Sequence, residues 1–217
     1  MRNVVMGAVI FSAIVGVAGG SVASADDIFT VELVSVAGSG CNKDDFAVAI
    51  ADDLTAFTVS YTNYTAMAGS GHSLLDARKN CVLDVRIRVP GGFTYGIAAA
   101  DMRGFTHLEA NANASARLSF WFQGSPATAY VTHDIRRSTA TAPGTLVTGV
   151  IDDDWQTSDA TPVASIVWAS CSAQRNLNIN TQLRISSPSA DPESLVTMDT
   201  TDGSLTTLFH VALMPCP

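Results

Sequence analysis

The stretch DDDWQTSDATPVASIVWASCSAQRNLNINTQLRIS, residues 152–186, decides the reading of the fold. Its second half alternates without a break. Leu177, Ile179, Leu183 and Ile185 fall on one face, with Thr181 in the same row, while Asn176, Asn178, Asn180, Gln182 and Arg184 fall on the other. Side chains of a strand point alternately to two faces, so this is a strand with one face in a core and one toward water. Asparagine is a poor strand former, so three of them in one outward row need a reason beyond folding. The first half holds Asp152, Asp153 and Asp154 just ahead of Trp155, and reads as a solvated acidic turn before a strand that carries the Trp.

Working outward, residues 82–89 repeat the pattern, with Leu83, Val85, Ile87 and Val89 facing in and Asp84, Arg86 and Arg88 facing out. Further strands are expected at 28–36, 46–50, 56–61, 93–102, 105–109, 116–123, 127–135, 195–198 and 205–213. Pro90-Gly91-Gly92, Arg103-Gly104, Gly124-Ser125-Pro126 and Asp202-Gly203 read as the breaks between them. Residues 67–80 read as a surface loop in which 73–78 fit one helical turn, and the Thr-, Ala- and Pro-rich run 136–149 reads as an exposed loop. Many short strands with turns every ten residues or so, and no convincing helix, predict an all-β fold. It is expected to be a single antiparallel β-sandwich or jelly-roll-like domain. No internal repeat supports a propeller or β-helix.

The N-terminus sets the compartment. Arg2, an apolar run broken by several glycines and the small residues Ala23-Ser24-Ala25 form a secretory signal peptide over residues 1–25, leaving one domain over 26–217. Twelve basic against 20 acidic side chains give a net charge of −8, which repels nucleic-acid backbones and anionic lipid. An even number of cysteines in an exported chain points to disulfides. Cys41, Cys81, Cys171 and Cys216 allow three pairings; the pairs nearest in sequence, Cys41–Cys81 and Cys171–Cys216, are expected. Each then closes a loop that contributes about 4 kcal/mol in the chain-entropy model. No CxxC spacing supports zinc.

The blocks VELVSVAGSGC (31–41), ARKNCVLDVRIRVPGGFTYGIA (77–98), DDDWQT (152–157), VASIVWASCSAQRNLNINTQLRI (163–185) and MDTTDGS (198–204) occur in order along the chain. Together they resemble the secreted family called domain of unknown function 4360. Asn42 stands where that family usually has proline, and residues 136–149 look like an insertion. The resemblance implies export, two disulfides and a single β domain, and it supplies no substrate.

Chemical signatures are sparse. There is no GxSxG elbow and no HExxH, no cofactor is expected, and the paired cysteines leave no thiol nucleophile. Asp152, Asp153 and Asp154 are a weak calcium candidate without EF-hand spacing; no metal is expected. The outward row Asn176, Asn178, Asn180, Gln182 and Arg184, taken with Trp155, is the candidate binding surface. Amides present donors and acceptors together, as a carbohydrate-binding face requires. The leading reading is a monomeric, non-catalytic protein that binds an extracellular or cell-wall polysaccharide. The alternatives are a secreted hydrolase using the Asp residues near Trp155, and a secreted factor that binds another protein. The sequons at Asn63 and Asn113 are expected at exposed positions.

Overall fold

The computed structural model describes residues 29–42, 46–52, 55–138, 147–198 and 207–217. The expected signal peptide, the Asp202-Gly203 turn and the middle of the 136–149 loop lie outside the described residues.

Two antiparallel sheets form the domain. The first has the order β1 (Thr30–Ala37), β5 (Arg78–Arg88), β10 (Leu177–Ser186), β7 (Asn113–Phe122), β8 (Thr128–Asp134). The second runs β2 (Phe46–Ile50), β3 (Ala56–Tyr61), β12 (Thr207–Pro215), β6 (Phe93–Leu108), β11 (Ser194–Thr197), β4 (Thr65–Ala68). Strand β9 (Ile151–Ala160) pairs with β6 from Leu108↔Ile151 to Ala99↔Ala160. The all-β expectation and both disulfide pairings, Cys41–Cys81 and Cys171–Cys216, hold.

β10 sits at the centre of the first sheet. Leu177, Ile179, Leu183 and Ile185 are all buried, and β5 buries Leu83, Val85 and Ile87 beside them. Phe120 and Phe122 come from β7, while Phe57, Val59, Tyr61, Ile97, Met102 and Phe209 close the core from the second sheet. The polar residue in the apolar row, Thr181, is fully buried because two tyrosines meet it. Tyr64 Oη donates to Thr181 O at 2.7 Å, and Tyr61 Oη lies 3.4 Å from Thr181 Oγ1. A buried polar group costs little once paired.

Burial pushes the Tyr61 hydroxyl up to about 12 from its ordinary 10.0, against a smaller opposing effect of the Thr181 hydrogen bond. Burial also raises Tyr64 and Tyr95. A raised folded-state value means the folded chain holds these protons when the unfolded chain has released them. The Tyr61 contribution to stability is therefore complete below about pH 10 and is lost as pH climbs through about 12, while Tyr64 and Tyr95 keep theirs to higher pH. Urea melts over the alkaline range should show the midpoint falling from about pH 10 upward; a midpoint flat to pH 12 would contradict the packing of these rings.

The structure corrects the sequence reading in four places. Arg103-Gly104 does not break the chain: β6 runs unbroken through it. Gly104 is there for a close approach, since a Cβ would meet Thr197 O at 2.0 Å and Trp155 Nε1 at 3.0 Å. The acidic run 152–154 is not a turn but part of β9. The loop expected over 67–80 begins as strand β4 and ends as β5, keeping a turn at Gly69–His72 and another between Ser73 and Ala77, where Asp76 Oδ2 accepts from Ser73 N and Oγ. The Ser73 hydrogen bonds hold the Asp76 carboxyl below its ordinary value.

The fourth correction is at Arg136, which opens the expected exposed loop but is only 4% exposed, inside the short helix α1 (Ile135–Ser138). Its Nε donates to Ala112 O at 2.6 Å, its Nη1 to Gly149 O at 2.8 Å, and its Nη2 to Glu109 O. The five donors of a guanidinium satisfy carbonyls from separate segments at once, tying 109–112 to 147–149.

Candidate binding face

The register places the outward residues of the first sheet in rows across the strands. One row reads Ser35, Asp84, Asn178, Trp121, Thr128 from β1 to β8; the next reads Ala37, Val82, Asn180, Ser119, Tyr130. Below them come Asn80, Gln182, Arg117 and Thr132, then Arg78, Arg184, Ser115 and Asp134. Rows are about 7 Å apart along the strands, and neighbours within a row about 5 Å apart.

The expected amide row is therefore one column of a broader face. Asn178 and Asn180 are half-buried, Arg184 is exposed, and Asn176 sits just before the strand, where its carbonyl accepts from Gln123 N at 2.9 Å. Gln182 is only 8% exposed, which departs from the expected wet position. Arg184 folds back along the strand onto it, Nε donating to Gln182 Oε1 at 2.8 Å. Two acceptors of this face, Asp84 Oδ1 and Asn180 Oδ1, are shielded from solvent and have no hydrogen-bond partner among the described residues.

Trp155 does not belong to this surface. It lies on β9 of the second sheet, 1% exposed, and its Nε1 donates to Thr197 O at 3.1 Å. A ring so enclosed offers no plane to a ligand. The aromatic residues of the face are instead Trp121, half-buried directly beside Asn178, and Tyr130, 69% exposed with the Arg117 guanidinium 4.9 Å from its ring centre. Strand parity is the signal for Trp121: with Phe120 and Phe122 in the core, the residue between them must face out.

The acidic run does not converge. Asp152 and Asp154 stand on one side of β9 and Asp153 on the other, so three successive strand positions cannot close on one ion. No group of three His, Cys, Asp or Glu among the described residues is arranged to hold a metal. Asp152 lies 3.6 Å from His107, and Asp153 accepts from Asp154 N at 2.8 Å. Across the open side of the sandwich, His133 of β8 meets Asp159 of β9 at 2.6 Å.

Clefts among the described residues include one of about 790 Å³ at the Arg78–Arg184 end of the polar face, with Asp134 as its carboxylate. A second of about 420 Å³ on the second sheet holds Asp101, and a third of about 410 Å³ between β8 and β9 holds Asp159. Each thus brings one carboxylate. Both sequon asparagines, Asn63 and Asn113, are exposed as expected.

Two antiparallel sheets and two disulfides make this a secreted, disulfide-stabilised β-sandwich. The chain belongs to the family described as Domain of unknown function (DUF4360), which it matches over residues 27–216. It is 29% identical over 198 residues to an uncharacterized secreted protein of Arthroderma benhamiae, spanning 91% of this chain and 76% of that one. Among solved structures, TmCBM61 in complex with beta-1,4-galactotriose covers 87% of this chain and 88% of its own, at 10% identity and a TM-score of 0.28. The enzymatically active domain of tailspike protein 4 from bacteriophage CBA120 covers 84% of this chain and 19% of its own, at 9% identity and a TM-score of 0.27. Neither score is that of a shared fold. Among the described residues, no helix is long and apolar enough to cross a membrane.

Proposed function

We propose that this is a non-catalytic protein that binds an extracellular glycan on the outer face of its five-stranded sheet. The observation that carries the proposal is the row Asp84, Asn178, Trp121, with Asn180 one row away. A pyranose has apolar C–H faces and a rim of hydroxyls that both donate and accept. A half-buried indole fits the first, since aromatic rings offer a large apolar surface at little entropic cost. Amides beside it fit the second. A glycosidase needs two carboxylates facing each other across a cleft; among the described residues, the three clefts above are lined by one carboxylate each.

Retention of the protein on a panel of insoluble polysaccharides (cellulose, chitin, xylan, galactan, pectate) tests the proposal. At least one polymer should retain it. Trp121→Ala and Asn178→Ala should each weaken that retention about ten-fold, equivalent to about 1.4 kcal/mol. Asn178→Ala should leave the melting temperature unchanged, which separates lost binding from lost folding. Retention by no polymer, or wild-type retention by both variants, would remove the glycan face as the site.

A further inference from the structure

We infer that the glycan is an acidic one, and that Arg78 and Arg184 take its carboxylate in the cleft at the end of the polar face. The inference rests on the glycan reading above and names the class of sugar.

Charge is unevenly placed on this protein. The whole chain has 12 basic side chains and a net charge of −8, yet Arg78, Arg86, Arg88, Arg117 and Arg184 all emerge on this one face. Three acids, Glu32, Asp84 and Asp134, share it. Some of the arginines are already engaged: Arg86 pairs with Glu32 at 3.1 Å, and Arg117 lies over Tyr130.

Arg78 and Arg184 are different. They stand directly opposite each other on β5 and β10. Like charges at directly opposed positions destabilise a sheet, so folding alone does not explain the pair. Among the described residues no carboxylate forms an ion pair with either one. Among the described residues their one side-chain bond is Arg184 Nε to Gln182 Oε1, which fixes the arm and leaves the two terminal nitrogens of Arg184 without a partner there. Asp134, the carboxylate of the cleft, has its Oδ1 turned to the start of α1, where it accepts from Arg136 N at 3.0 Å.

The cleft has the size of an ordinary ligand pocket, about 300–1,000 Å³, and is continuous with the polar face through Arg184 and Ser115. Its other walls carry Thr132 and Asn113, suited to hydroxyls, while the His133 ring is engaged by Asp159. A guanidinium is planar and meets a carboxylate with two parallel hydrogen bonds. Two guanidinia side by side therefore fit an oxyanion borne on a sugar ring. The acidic remainder of the surface opposes a continuous polyphosphate, whereas a uronate chain has hydroxyl-rich faces for the amide and Trp121 rows next to each charge.

The test is affinity electrophoresis of the whole mature protein, made in a host that does not glycosylate Asn113. The gels contain polygalacturonate, the same polymer fully methyl-esterified, neutral galactan or dextran sulfate. The wild type should be retarded by polygalacturonate at least ten-fold more strongly than by its ester, and high salt should abolish the difference. Arg78→Gln/Arg184→Gln should reduce polygalacturonate to the level of the ester, and Arg78→Lys/Arg184→Lys should recover part of the loss. The Gln pair should melt no lower than the wild type, because it removes a like-charge contact. Equal retardation by acid and ester, or by wild type and the Gln pair, overturns the acidic assignment while leaving the glycan face standing. Retardation by dextran sulfate alone replaces the carboxylate with a sulfate ester and overturns it too. Retardation by no polymer removes the glycan reading and this inference with it.

Discussion

Trp155→Ala should lower the unfolding free energy by about 3–5 kcal/mol, the range for emptying a large aromatic site in a core. The indole is the bulkiest of the fully buried side chains, and it is wedged where β9, β6 and β11 meet. Its Nε1 bond to Thr197 O is lost as well, leaving that carbonyl without the indole donor. Trp155→Phe refills most of the space and loses only the hydrogen bond, so its cost should be near 1–2 kcal/mol. Urea melts of the two variants measure both. A Trp155→Ala change under about 0.5 kcal/mol, typical of a surface site, would mean the ring is not enclosed.

The disulfides should give an effect of similar size. Their loops span 40 and 45 residues, so chain entropy assigns each about 4 kcal/mol. Burial distinguishes them. Cys41 and Cys81 are in the core, while Cys171 is exposed and Cys216 partly so. Replacing Cys41 and Cys81 together by alanine should therefore cost more than replacing Cys171 and Cys216, because it removes packing as well as the crosslink. Mild reductant should also open Cys171–Cys216 first, since the attacking thiolate must reach a sulfur. Melts of the two double variants and mass mapping during partial reduction check this. Equal losses and simultaneous reduction would contradict the burial difference.

Strands with one wet face were readable in the residues. β10 and β5 alternate strictly, because an antiparallel sheet with one covered face demands it, and their inner rows are the rows the structure buries. Local disulfide pairing was readable for a similar reason, since each bridge joins neighbouring parts of one layered domain. What was not legible depended on contacts between distant segments. Gly104 reads as a break in isolation, and only the passage of Thr197 and Trp155 beside it shows why a glycine belongs inside a strand. Arg136 reads as part of a loop because nothing local announces the carbonyls that surround it. Trp155 was assigned to the wrong surface because Asp153 interrupts the inward row of Ile151, Trp155 and Thr157 and hides the period of β9. Trp121 is hard to read among its neighbours: an aromatic triplet looks like core until strand parity turns its middle member outward.

The face was thus legible in one column, Asn178 to Arg184, and not in its width. Asp84 and Trp121 join Asn178 only through the pairing of β5, β10 and β7, strands that lie far apart in sequence. The Arg78–Arg184 opposition is likewise a product of register.

The central claim is that the outer face of the five-stranded sheet is the ligand surface, and the three tryptophans of this chain offer a direct test. Their indole N–H resonances report on different places: Trp121 on the polar face, Trp155 in the core beneath β9, and Trp168 bridged to Gly96 of β6. During an NMR titration with trigalacturonate, the Trp121 indole and the backbone amides of Asn178, Asn180, Gln182 and Arg184 should shift together while Trp155 and Trp168 stay still. Movement of the Trp155 indole and of Asp152, Asp153 and Asp154, with Trp121 silent, would contradict the account and place the ligand on the second sheet.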